Sequence, residues 1–162
     1  MSIDRVRAYL EPMGLADGVL EFDTSSATVE LAAQALGVIP ARIAKTLSLS
    51  LPEGPVLVVA AGDARIDNPR FKAQFHAKAK MLDHEAVARQ IGHGVGGVCP
   101  FAVNPGVRTY LDVSLKRFDT VFPACGSSNS AIELTCDQLE SAAQGFSGWV
   151  DVCKGWREET SA

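Results

Sequence analysis

Ile43-Ala44-Lys45-Thr46-Leu47-Ser48-Leu49-Ser50-Leu51, then Pro52-Glu53-Gly54-Pro55, then Val56-Leu57-Val58-Val59-Ala60-Ala61 is the run on which the fold turns. Ile43, Leu47, Leu49 and Leu51 alternate with Ala44, Thr46, Ser48 and Ser50. That period of two puts successive side chains on opposite faces of a strand. The Pro-Glu-Gly-Pro run is a turn, and the apolar run after it comes back, so the two halves pair as a hairpin. A hairpin with irregularly interspersed helices and no steady strand–helix–strand repeat argues for an α+β domain on a mixed sheet.

Working outward, Ile3, Val6, Leu10 and Met13 repeat at helical spacing, and Pro12-Met13-Gly14 ends that first helix. Residues 19–22 form a short strand. Thr24, Ser25 and Ser26 offer hydroxyl caps for a second helix marked by Val29, Ala32, Ala33 and Leu36, which Gly37 and Pro40 stop. Beyond the hairpin, Asn68-Pro69 reads as a cap and first-turn proline opening a helix to about residue 75, and Asp83 caps another to about residue 90. Strands follow at 108–113, 120–124 and 131–134. Thr135 and Gln138 make a capping-box pattern for a last helix with Leu139, Ala142 and Ala143 inside. Residues 149–152 read as an edge strand. Residues 1–157 make one domain, and 158–162 a polar tail.

A second stretch breaks this ordinary pattern. Gly92-His93-Gly94-Val95-Gly96-Gly97-Val98-Cys99-Pro100-Phe101 holds four glycines in six residues. Such backbone takes φ > 0 freely and approaches other molecules closely. Gly92, Gly94 and Gly97 satisfy the dinucleotide fingerprint, but that motif needs a strand before it and a helix after it. Here a helix precedes, and Pro100 and Pro105 follow, so the dinucleotide reading is set aside. Two readings stay open: a plain turn between helix and strand, or main-chain N–H groups aimed at an anion or a carbonyl gaining charge.

Composition narrows the class. The chain has 162 residues, 47% hydrophobic and 21% charged, which suits a globular core and not disorder. No apolar run approaches a membrane span, and the charged start Ser2-Ile3-Asp4-Arg5 does not resemble a signal peptide, so a cytoplasmic protein is expected. Cys99, Cys125, Cys136 and Cys153 form no C-x-x-C pair, and His76, His84 and His93 show no ligand spacing. Neither a metal site nor a cofactor is expected, and the cysteines read as packed thiols. Cys99 near His93 suggests a nucleophile pair, but a thiol before a proline in an apolar run fits burial better. The net charge of −4 argues against wholesale nucleic-acid binding. Residues 65–80 nevertheless carry Arg65, Arg70, Lys72, Lys78 and Lys80 against Asp67 alone. That is either a solvated helix face or a local phosphate-contact patch.

Lys45 is the anomaly of the central strand, because it shares the parity of Ile43, Leu47, Leu49 and Leu51. An ammonium there must snorkel past the sheet edge or serve as an under-solvated cation at a pocket. Cys125-Gly126-Ser127-Ser128-Asn129-Ser130 is a third candidate, a polar turn able to bind a ligand or to satisfy only itself.

Ala44-Lys45-Thr46-Leu47, Gly96-Gly97-Val98-Cys99-Pro100-Phe101 and Gly126-Ser127-Ser128-Asn129-Ser130-Ala131-Ile132-Glu133-Leu134-Thr135, in this order and spacing, resemble the YbaK/EbsC family. That family includes stand-alone editing domains associated with prolyl-tRNA synthetase. The likeness runs from the first helix to Trp149. It implies an α+β fold with a mixed, partly barrel-like β-sheet surrounded by helices. It also implies a trans-editing hydrolase that deacylates mischarged aminoacyl-tRNA carrying alanine, cysteine, serine or threonine, on the proline tRNA. By this resemblance Lys45 matches the family's key lysine, Gly96 and Pro100 its loop at the aminoacyl end, and Gly126 and Ser127 its pocket-forming turn. With these in place Lys45, Gly96 and Gly97 are expected to be catalytic, and Thr46, His93, Pro100, Phe101, Gly126, Ser127 and Ser128 to bind substrate. From the positive charge of residues 65–80, Arg70, Lys72, Lys78 and Lys80 are expected to contact the tRNA, whose acceptor end is the expected partner, with a synthetase as a further one and no membrane. Ala102 departs from the pattern, since many relatives carry glycine there. A non-catalytic module for tRNA ends or amino acids, and a hydrolase of small esters, are the alternatives.

Overall fold

The computed structural model describes residues 2–157; the expected tail 158–162 lies outside the described residues. Helix α1, Ser2–Leu10, buries Ile3, Val6 and Leu10 and runs on as a 3-10 turn that Gly14 ends at φ 73°. Strand β1 is Leu20–Glu21 and helix α2 is Val29–Leu36. The α2 cap is Thr28, which accepts from the Leu31 N–H, and not residues 24–26. A cap must stand immediately before the first helical residue. Ser25 and Ser26 instead reach the Ser128 carbonyl.

Strands β2, Ile43–Leu51, and β3, Gly54–Ala61, form the expected hairpin, with Leu51 opposite Gly54. Strand β4 is Arg65–Ile66, and helix α3, Asn68–Phe75, is capped by Asp67 rather than Asn68. Helix α4, His84–Ala86, has the expected Asp83 cap and continues as a π-helical turn, Val87–Ile91. Strands β5, Arg108–Asp112, and β6, Thr120–Pro123, follow. The expected strand at 131–134 is two: β7, Ser130–Ala131, pairs with β1, while β8, Leu134–Thr135, pairs with β6. Local apolar content could not reveal that its two ends serve different partners. Helix α5, Cys136–Ala142, carries the full capping box of Thr135 and Gln138. The last strand of the main sheet is β9, Phe146–Val150, at the edge as expected but starting earlier, and β10, Cys153–Lys154, pairs with β4.

The main sheet runs β8-β6-β2-β3-β5-β9 and curls into a half-barrel with helices around it. It is mixed: β2–β3 and β6–β8 are antiparallel, whereas β2–β6, β3–β5 and β5–β9 are parallel. Both faces are covered. On one, Leu57 packs with Val87, Ile91, Val103 and Val107. On the other, Phe75 of α3 meets Tyr110 edge-on at 4.9 Å, and Tyr110 pairs with Val58, the neighbour of Leu57 with opposite parity.

One feature of this sheet creates a site. β2 has β3 along its whole length on one side. On the other it meets β6 only at Ile43 and Ala44. It then meets residues 80–82, where the Ser50 N–H donates to the Lys80 carbonyl (2.8 Å) and the Leu82 N–H to the Ser48 carbonyl (3.0 Å). Among the described residues, no strand flanks this second edge from Lys45 to Leu47.

Ala102, where many relatives have glycine, sits at φ 53°. A Cβ in that region crowds the following carbonyl oxygen. We predict that Ala102→Gly melts at or above the wild-type temperature, with the strain relieved offsetting one lost methyl. Ala102→Val should melt several degrees lower, because β-branching worsens the same clash. Thermal melting of the three proteins decides; a Val variant as stable as wild type would contradict the strain.

Candidate functional site

The gap beside β2 opens into a cavity of about 410 Å³. Lys45, Thr46 and Ser48 of β2 line it, together with Gly96 of the glycine loop, Val29 and Ala32 of α2, and Phe122 of β6. Residues far apart in the chain thus meet because β6 and residues 80–82 approach β2 from its two ends. Lys45 is half-buried, its Nζ 3.4 Å from the Gly62 carbonyl. Burial pushes its pKa down, while Cys153, Asp63 and Glu30 nearby push it back up. The ammonium therefore gains from any anionic or carbonyl oxygen placed beside it.

Of the expected site residues, Lys45, Thr46 and Gly96 share this cavity. Gly96 lies at φ 92°, and a Cβ there would stand 3.2 Å from Cβ of Ala27 and 3.4 Å from Cβ of Ser128. Gly97, Gly126, Ser127 and Ser128 line a second, smaller hollow of about 270 Å³ beside the start of α1; Val95 belongs to both walls. Gly97 is packed on main chain, since a Cβ would fall 2.6 Å from the Gly126 carbonyl carbon. Gly126 in turn lies against Ser2 and Val6 of α1. A bulky residue at 97 would thus displace the loop junction itself.

His93, Pro100 and Phe101 are buried away from both hollows. His93 Nε2–H donates to the Phe101 carbonyl at 2.6 Å, and the Cys99 Sγ, 3.5 Å from that nitrogen, shares the same carbonyl. Burial raises the Cys99 thiol to about 12, so it stays protonated and the pair is a packed anchor for the loop. Cys125 and Cys153 are likewise buried thiols raised by desolvation. Arg5 of α1 fastens the other end of the loop through the Gly92 carbonyl.

The four basic residues divide. Lys78 and Lys80 lead directly into Met81 and Leu82 at the cavity wall. Arg70 and Lys72 stand on α3, no residue of which lines the cavity, and Arg70 pairs with Asp67 and Asp151. Ser48 and His84 line the cavity although the sequence pointed to neither as a site residue, and Ser130, the last residue of the candidate polar turn, lines it as well. Ser48 had one available signal: it shares the parity of Thr46, a polar face that turns out to be buried.

The sequence pattern of the aminoacyl-tRNA editing domain matches residues 23–142. The uncharacterized protein YwhH of Bacillus subtilis (strain 168) is 53% identical over 159 residues, which are 96% of this chain and 99% of that protein. Among solved structures, a proposed trans-editing enzyme for prolyl tRNA synthetase is 28% identical with a TM-score of 0.85, over 95% of this chain and 98% of that one. The hypothetical protein APE2540 is similar at 28% identity and TM-score 0.82, over 93% and 99% of the two chains.

The loop anchor has a pH signature. His93 Nδ1 is buried with no partner among the described residues, and burial and the Arg5 charge lower the pKa below 6.5, only partly opposed by the Phe101 hydrogen bond. A depressed folded-state pKa contributes stability that is present above pH 6.5 and lost as pH falls towards the folded value. We predict that the wild-type melting temperature drops between pH 7 and pH 5.5 and that His93→Gln flattens this slope. Parallel slopes for both proteins would remove His93 from the acid response.

Proposed function

The chain belongs to the aminoacyl-tRNA editing domain family, and on that premise we propose that it hydrolyses the ester of mischarged aminoacyl-tRNA in trans. The carrying observation is the single cavity in which Lys45, Thr46 and Gly96 converge at a break in the sheet. The substrate is a small amino acid, alanine, cysteine, serine or threonine, on the proline tRNA, whose acceptor end enters from the Met81 and Val95 side. Those two side chains are largely exposed at the rim.

The chemistry asks little of side chains. The oxygen of water, or the oxygen or sulfur of a neighbouring substrate hydroxyl or thiol, bonds to the acyl carbon, and the carbon–oxygen bond to the ribose breaks. The proton lost by the nucleophile ends on the ribose oxygen. Charge develops on the carbonyl oxygen in between, where the Lys45 ammonium and the main chain at Gly96 stabilise it. Gly97, through its seat on Gly126 and Ser127, holds that loop at its distance. Cavity walls of fixed size discriminate among acyl groups, as in a second sieve.

Multiple-turnover deacylation of a panel of mischarged and correctly charged tRNAs tests this reading. Hydrolysis of none of them by catalytic amounts of protein would refute it. Lys45→Met should keep or raise the melting temperature, because a half-buried cation costs free energy. The same change should slow single-turnover deacylation at least about a hundredfold. Lys45→Arg should recover little, since a planar fork does not fit where a compact ammonium did. A wild-type rate in Lys45→Met would end the catalytic assignment.

The divided basic patch gives a second comparison. Reversing Lys78 and Lys80 to glutamate should weaken tRNA binding and reduce its dependence on salt. The same reversal at Arg70 and Lys72 should leave the salt slope unchanged. Equal effects from both pairs would mean that the tRNA wraps past the sheet edge on to α3.

A further inference from the structure

In an antiparallel pair, residues that turn their main-chain N–H and C=O toward the partner alternate with residues that turn them away. Two hydrogen bonds fix the phase in β2. Ser50 donates through its N–H to Lys80, and Ser48 accepts at its carbonyl from Leu82, so both turn away from β3. Pro55, opposite Ser50, agrees, because a proline is tolerated where no N–H is needed across the pair. Two residues before Ser48, Thr46 must also turn outward. There β6 has already left, its last pair being Ala44 with Pro123, and residues 80–82 have not yet arrived. Among the described residues the ladder offers the Thr46 N–H and C=O no partner, and the Thr46 Oγ1 is buried without one too.

The remaining hydroxyls of the cavity wall are mostly committed. Ser26 Oγ donates to the Ser128 carbonyl, Thr28 Oγ1 accepts from the Leu31 N–H, and Ser130 Oγ accepts from the Cys125 N–H. Among the described residues the unused hydrogen-bonding capacity therefore concentrates on Thr46, with the Ser48 hydroxyl beside it also free. Buried native polar groups are nearly always paired, and an orphaned set facing a cavity marks where a ligand completes the pairing.

We infer that Thr46 binds the N–Cα–C=O unit of an α-amino acid ester as a one-residue extension of the sheet. This rests on the proposed function and deepens it. The Thr46 N–H donates to the ester carbonyl oxygen, and the Thr46 C=O accepts from the α-ammonium, the exchange made by any residue added to a strand edge. Both ligand groups are common to every α-amino acid, so Thr46 reads the class and leaves the side chain to the apolar wall of Val29, Ala32, Ile43 and Phe122. The same N–H strengthens its bond as negative charge grows on the carbonyl oxygen. A free α-amine becomes a requirement of the site.

The test uses the wild-type protein, labelled with nitrogen-15, and alanyl-adenosine in which an amide replaces the scissile ester. Binding should move the Thr46 amide resonance downfield and slow its hydrogen exchange at least about tenfold, as expected of a newly paired N–H. An analogue whose α-amine is replaced by hydrogen should bind at least about tenfold more weakly, the loss expected when a buried acceptor is left unpaired. The inference falls if the amide analogue binds without moving Thr46, if it does not bind at millimolar concentration, or if removing the amine costs no affinity. Continued hydrolysis of mischarged tRNA in any of those cases would leave the proposed function standing, whereas absent hydrolysis would remove both.

Discussion

Everything at the site depends on how strand Ile43–Leu51 acquires its second neighbour. Main-chain polar groups in a protein interior must be paired, and a central strand does this by having a strand on each side. Here two different segments share one edge, and they do not meet. β6 leaves after Pro123, which has no N–H to continue a ladder, and the chain then turns through Gly126 at φ 92°. Gly126 is seated on Ser2 and Val6, so the first helix helps to decide where β6 departs. At the other end, Lys80 and Leu82 bond to Ser50 and Ser48 and go no further. The cavity is the space left between these two commitments.

The glycine loop closes that space, and its glycines do different things. Gly96 needs its positive φ and leaves room for Ala27 and Ser128 at one wall, whereas Gly97 lets two backbones touch. His93, Cys99 and Phe101 hold the loop from below through one shared carbonyl. This division explains why a conspicuous histidine–cysteine pair lies outside the cavity. A thiol raised to about 12 beside a neutral imidazole is a good anchor and a poor nucleophile. In the proposed reaction the work instead falls to a half-desolvated ammonium and to main-chain groups, which suits an ester that is already activated.

Much of this was legible in the chain. Alternation in Ile43–Leu51 and the turn after it determined the hairpin, and with it the α+β class, because period-two patterning and turn chemistry are local. The wrong parity of Lys45 marked it as a residue needing an explanation, since an ammonium on an apolar face is costly wherever the strand lies. Proline placement excluded a dinucleotide loop for an equally local reason, and the ordered motifs pointed to the editing family. What tertiary structure alone decided was adjacency. Sequence could not show that residues 131–134 divide between two partners, that α3 keeps Arg70 and Lys72 off the cavity wall, or that His93 and Phe101 face inward from the loop. Nor could it show that Thr46 stands where both flanking segments fall short, because an unpaired strand edge is a property of neighbours that the strand's own residues do not encode.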